Sequence, residues 1–187
     1  MKVCCLARIL LTLDRGMRFP RGDEGAIEMK RVLTLAMAGV LALLVSAQAQ
    51  AQTINLTAAL SGGNEVPGVS TGAAGTATAT LNATTGVLTY RVEVYNMPVG
   101  TTAGHIHVGA PGVAGPTVIN FTVSTGISND FAITGTATSA DLILRAAQGI
   151  GSWEDFQQAL LLGNTYINVH STNNPGGEIR GQLVRVP

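Results

Sequence analysis

Gly75-Thr76-Ala77-Thr78-Ala79-Thr80-Leu81-Asn82-Ala83-Thr84-Thr85-Gly86-Val87-Leu88-Thr89-Tyr90-Arg91-Val92-Glu93-Val94 decides the fold. Threonine alternates with alanine up to Leu81. Beyond Gly86, Leu88, Tyr90, Val92 and Val94 alternate with Thr89, Arg91 and Glu93. A period of two puts alternate residues on opposite faces of an extended chain. Asn82 to Gly86 is turn chemistry between two such runs, so the stretch predicts a β-hairpin.

Working outward, the same pattern recurs. Ile54-Asn55-Leu56-Thr57-Ala58 alternates, and Ser61-Gly62-Gly63-Asn64 is a turn cluster. Glu65-Val66-Pro67 is extended, because a residue before proline avoids the helical region. Asn96-Met97-Pro98 ends the hairpin's second strand. Strands are expected at Gly104–Val108, Thr117–Val123, Phe131–Ala137, Tyr166–Ser171 and Glu178–Val186, with Gly109–Pro116 as a turn-rich loop.

One helix stands out. Ser152 caps it with Asp155 three residues on; Trp153, Phe156, Ala159 and Leu160 follow at helical spacing, and Gly163 ends it. A shorter helix is expected over Asp141–Ala147. Many short strands between Gly, Pro and Asn turns make an all-β chain, an antiparallel sandwich or barrel with one or two short helices. A parallel α/β sheet would need helices between most strands.

The N-terminal third reads differently. Met29-Lys30-Arg31 precedes an apolar or small run from Val32 to Val45, and Ala47-Gln48-Ala49 and Ala49-Gln50-Ala51 offer small-x-small cleavage sites. This is the layout of a secretory signal peptide. The run is shorter than the roughly 17–25 residues a membrane span needs. The expected organisation is a mis-assigned or disordered leader at 1–28, a signal peptide at 29–51, and one domain at 52–187. Location would then be periplasmic or secreted, with no membrane insertion after cleavage.

Cys4 and Cys5 are the only cysteines, so the domain would have neither disulfide nor thiol ligand. From Gln52 onward there is no lysine, and four arginines face seven acids. A net negative chain without a basic patch is not expected to bind nucleic acid.

All three histidines lie on strands. His105 and His107 share a face; so do Asn168 and His170; so, by alternation, do Glu178, Arg180 and Gln182. If these strands neighbour one another, their polar sides form one cluster. Three imidazoles with a carboxylate or water suit zinc or copper, giving His105, His107 and His170 as candidate ligands, with Glu178 as a fourth. Asn168, Arg180 and Gln182 complete the polar cluster. Glu178 and Arg180 are expected to pair with each other or with an adjacent strand. No nucleophile elbow, phosphate loop or dinucleotide fingerprint is present.

Leu60-Ser61-Gly62-Gly63-Asn64-Glu65-Val66-Pro67, His105-Ile106-His107-Val108-Gly109, Gly115-Pro116, and Tyr166 through His170 to Asn174-Pro175-Gly176-Gly177-Glu178-Ile179-Arg180-Gly181-Gln182 resemble the chordin-domain (CHRD) family. The resemblance spans about Ile54 to Val186. It implies a bacterial exported single-domain member, a binding or structural module for an extracellular or periplasmic ligand. Chordin's cysteine-rich modules are missing, so growth-factor antagonism is not implied. The family is distantly similar to Cu/Zn superoxide dismutase, which implies an immunoglobulin-like β-barrel with His105 and His107 on its His-x-His strand. The dismutase site uses more histidines than this chain has, together with an aspartate and a disulfide. The expectation is therefore a non-enzymatic module that binds metal through a surface histidine cluster. The alternatives are a small copper/zinc oxidoreductase or a periplasmic metal carrier.

Overall fold

Alternation turns directly into burial in the computed structural model, which describes residues 53–187. In β1 (Thr53–Ser61), Ile54, Leu56, Ala58 and Leu60 are buried while the residues between them face solvent. It pairs antiparallel with β2 (Ala74–Asn82), and β2 pairs with β3 (Val87–Met97), which is the expected hairpin. At its turn Asn82 Oδ1 accepts from the backbone N–H of Thr84 and Thr85, each at 3.0 Å, and Gly86 takes φ +69°. Only glycine adopts that backbone without strain.

The remaining strands are β4 (Thr101–Val108), β5 (Thr117–Asn120), β6 (Asn129–Ala137), β7 (Thr165–Ser171), β8 (Ile179–Gln182) and β9 (Val184–Arg185). Neighbouring strands run in the order β5-β4-β7-β8-β1-β2-β3-β6, with β9 beside β1 and every pairing antiparallel. This is an all-β, nearly closed barrel or sandwich. Its two leaves, β5-β4-β7-β8 and β1-β2-β3-β6, meet along β1, which pairs with β8 and, further along, with β9. There the β1–β8 ladder has a single register pair, Ser61 with Arg180. The Asn64 side chain reinforces the joint by donating to Ala59 O at 3.3 Å and Arg180 O at 3.1 Å. On the open side, Tyr90 of β3 stacks on Phe121, just past β5, with ring centroids 4.3 Å apart.

One helix, α1 (Trp153–Leu161), lies among the described residues, and its signals read as expected. Ser152 Oγ accepts from Asp155 N at 3.2 Å, Gly163 takes φ +70°, and Trp153, Phe156, Ala159 and Leu160 are the buried positions. Fully burying side chains such as Phe156 and Leu160 contributes roughly 1.5–3 kcal/mol each.

Several expectations need correction. The shorter helix over Asp141–Ala147 does not form. Single 3₁₀ turns occupy Ser139–Asp141 and Ala146–Gln148, and the chain between them is spent on β5: Ile143 N donates to Val118 O and Arg145 Nε to Thr117 O, both at 2.8 Å. Covering an open sheet edge satisfies more backbone groups than one isolated helical turn. The strand expected over Thr117–Val123 stops at Asn120. The last strand divides at buried Leu183, with β8 pairing to β7 and β9 crossing to β1. Of the two pairings expected for Glu178 and Arg180, the mutual one does not form and the one with an adjacent strand does, Glu178 bonding Ser171 and Arg180 lying over Tyr166 of β7; among the described residues the ion pair is the exposed Arg91–Glu93. The expected leader and signal peptide lie outside the described residues. No helix among those described is long and apolar enough to cross a membrane.

A candidate metal centre under three loops

Every residue of β7 is buried, including those on the face turned away from the core. Tyr166, Asn168 and His170 alternate along that outer face, and three loops close over it. Gly109–Pro116 meets Tyr166, whose hydroxyl donates to Gly115 O at 3.1 Å and accepts from Gly115 N at 3.0 Å. The turn after β1 brings Glu65, whose Oε1 accepts from Asn168 Nδ2 at 2.6 Å. The β7–β8 turn brings Pro175 O to within 2.8 Å of His170 Nδ1.

Register delivers the histidines to the same face. His105 of β4 lies opposite Asn168, and His107 lies opposite Tyr166. Arg180 and Gln182 of β8 lie opposite Asn168 and Tyr166 from the other side. Cross-strand partners share a face, so His105, His107, Asn168, His170, Arg180 and Gln182 form one cluster, as alternation predicted. One ring nitrogen from each histidine lies within 4.8 Å of those of the other two.

The partners of each imidazole fix its hydrogens. His107 Nδ1 sits 2.8 Å from Gly115 O, and His170 Nδ1 lies against Pro175 O. A carbonyl only accepts, so both Nδ1 atoms carry the hydrogen and each Nε2 keeps its lone pair. His105 Nδ1 then donates to His170 Nε2 at 2.9 Å. Thr117 Oγ1 approaches His107 Nε2 at 3.4 Å. His107 also stacks on Tyr166, with centroids 4.8 Å apart and planes 12° from parallel.

Burial keeps the trio neutral. It pushes His105 down to about 4, helped by the neighbouring charges of protonated His170 and His107. Burial also lowers His107 and His170, outweighing the carbonyls of Gly115 and Pro175 that favour their protonated forms. Neutral imidazoles are the form a metal ion needs; His107 and His170 each keep an Nε2 lone pair, while the His105 hydrogen lies between Nδ1 and His170 Nε2. The two backbone carbonyls behind His107 and His170 orient the rings as outer partners orient metal ligands.

Glu178 stands apart from the trio. It precedes β8, is nearly fully buried, and points its Oε2 at the hydroxyl of Ser171 (2.6 Å) and the side-chain amide of Asn174. Burial works to raise its pKa, but hydrogen bonds from Ser171, Thr71 and Asn174 outweigh it and hold the carboxyl below its ordinary range. It pins the β7–β8 turn. Arg180 lies over the Tyr166 ring, 3.4 Å from the centroid, and donates from Nη2 to Val113 O at 2.9 Å and Ala110 O at 3.3 Å. Gln182 ties Gly109 O (2.9 Å) to Gly163 O (2.7 Å).

Sequence reasoning missed two participants. Alternation places Tyr166 on its strand and assigns it no role. Glu65 reads from the sequence only as extended chain before Val66-Pro67. Burial pushes its carboxyl up to about 7, against the pull of Arg180 and with the repulsion of Glu178. The signal available for Glu65 was an acid beside Gly62-Gly63 and Val66-Pro67, where turn residues hold a side chain in one place.

A family model described as the CHRD domain matches residues 56–183. No curated protein matches, and no solved structure matches.

Proposed function

The chain belongs to the CHRD domain family, and from that premise we propose that it is an exported, non-enzymatic binding module that holds one copper ion at His105, His107 and His170. The observation that carries the reading is the 2.9 Å separation of His105 Nδ1 and His170 Nε2 beside a third imidazole. Metal uptake requires that the His105 hydrogen move from Nδ1 to Nε2 and that His107 draw closer, because nitrogens up to 4.8 Å apart exceed the roughly 4 Å that two bonds of about 2.0 Å can span. At a bond length of about 2.0 Å, nitrogens 2.9 Å apart subtend roughly 90° at a shared ion. That angle suits tetragonal Cu(II), whereas tetrahedral zinc would need a separation of about 3.3 Å. Three protein ligands leave positions for water or a ligand atom from a partner.

Export rests on the charged start at Met29–Arg31, the apolar run after it and the small-x-small sites near Ala49 and Ala51. The N-terminal mass of the protein recovered outside the cytoplasm tests it.

Elemental analysis and Cu(II) titration of the purified protein test the centre. One equivalent of copper is expected, lost in His105→Ala and His170→Ala. A protein that takes up neither copper nor zinc at micromolar concentration refutes the centre. Robust superoxide dismutation that His107→Ala abolishes refutes the non-enzymatic part and leaves a copper oxidoreductase. Tight reversible copper exchange with a partner protein, without turnover, identifies a carrier.

A further inference from the structure

Arg180 is only 3% exposed, yet no carboxylate among the described residues lies within ion-pair distance of it. Buried charges are ordinarily paired. Its Nη2 is committed to the carbonyls of Val113 and Ala110. Nε and Nη1 meet no acceptor among the described residues. Arg180 lines a cavity of about 380 Å³ between the turn after β1 and the Gly109–Pro116 loop, with Gly63, Glu65, Val66, Pro111 and Gln182 around it. That volume lies in the range of small-ligand sites, roughly 300–1,000 Å³. None of the three histidines lines it.

The chemistry narrows the occupant. A guanidinium clamped on an aromatic face and by two carbonyls is a fixed donor for an oxyanion. One positive charge balances one negative charge, and the neighbouring Glu65 disfavours a dianion. Val66 and Pro111 supply apolar wall beside the charge. We propose that this cavity is a second binding site, which takes a small aliphatic monocarboxylate on an uncommitted N–H of Arg180.

The test is calorimetric titration of butyrate into the purified, chelator-treated protein, with ionic strength held by potassium chloride. A saturable one-to-one isotherm is expected. Sulfate at matched ionic strength does not compete. Arg180→Met abolishes binding; because that variant also loses the Tyr166 and loop contacts, Val66→Asp is the companion. Val66 is 42% exposed, so a rim carboxylate there leaves folding intact and weakens binding by about tenfold, the factor for ~1.4 kcal/mol. Absence of a saturable heat overturns the proposal, as does an isotherm that Val66→Asp leaves unchanged. Binding that appears only after copper loading also overturns it, since butyrate would then be a ligand of the metal centre. A failure to bind copper leaves the carboxylate site untouched.

Discussion

Gly176 and Gly177 are adjacent in sequence, and their replacement by alanine should have very different costs. Gly177 takes φ +141°, a region L-residues rarely enter, while Gly176 does not have a positive φ. A Cβ on Gly177 would lie 2.6 Å from Glu65 Oε1 and closer still to Asn168 Nδ2, driving apart the pair that joins the turn after β1 to β7. A Cβ on Gly176 would meet nothing within 4 Å. Backbone strain contributes ~1–3 kcal/mol, and loss of a buried hydrogen bond to a carboxylate another ~1.5–3 kcal/mol. Gly177→Ala should therefore destabilise by about 3–5 kcal/mol, and Gly176→Ala by less than about 0.5 kcal/mol. For a domain of this size the first is a fall in Tm of roughly 10–20 °C. Urea and thermal unfolding followed by circular dichroism measure both. In an Asn168→Ala background the cost of Gly177→Ala should shrink by about 1 kcal/mol or more, because the contact it breaks is already gone. Equal stabilities for the two glycine variants, or a Gly177→Ala cost under about 1 kcal/mol, would refute the placement of Glu65 against Asn168.

Glu65 has a native pKa of about 7, above its ordinary 4.5, so the folded state holds its proton more tightly. The stability this gives is complete below pH 4.5 and is lost as pH rises to 7. Glu65→Gln should gain on the parent by ~1–2 kcal/mol across that window, after discounting for partial exposure; parallel pH–stability curves would contradict this. The lowered His105 acts with opposite sign: its neutral form is favoured in the fold, so stability falls as pH drops from 6.5 towards 4. His105→Asn should flatten that acid limb in denaturant titrations. Copper at a hundred times its dissociation constant should stabilise by about 2.7 kcal/mol, and a chelator should reverse the gain. No copper-dependent rise in Tm would count against the centre. Ser152→Ala removes the cap on Asp155 N and should cost about 1 kcal/mol with copper uptake unchanged.

What was legible in the sequence was whatever has a period. The Thr–Ala run, the Leu88–Val94 face and the α1 cap each declare themselves within a few residues, and the structure realises all three. The shared face of His105, His107 and His170 followed from the same parity. What was not legible lies in turns and edges. Glu65 meets Asn168 across 103 residues of sequence, and no spacing rule connects a turn to a distant strand. Glu178 kept the parity of Arg180 and Gln182 but lies before the first paired residue of β8, so it was free to turn towards Ser171. Asp141–Ala147, expected as a short helix, is claimed instead by the bare edge of β5, a tertiary demand invisible locally.

The seam along β1 makes the molecule a book whose spine is stitched at Ser61–Arg180, Thr57–Val184 and Leu56–Arg185. The histidines and Arg180 all sit on a single cover, and Glu65 is the clasp reaching over from the opposite one. Spreading the covers would break those few pairs, lift that clasp, part Tyr90 from Phe121 and open the apolar core shared by the two leaves. Amide protons flanking the spine should trade with deuterated solvent earlier than those deep within β2–β3 or β4–β7.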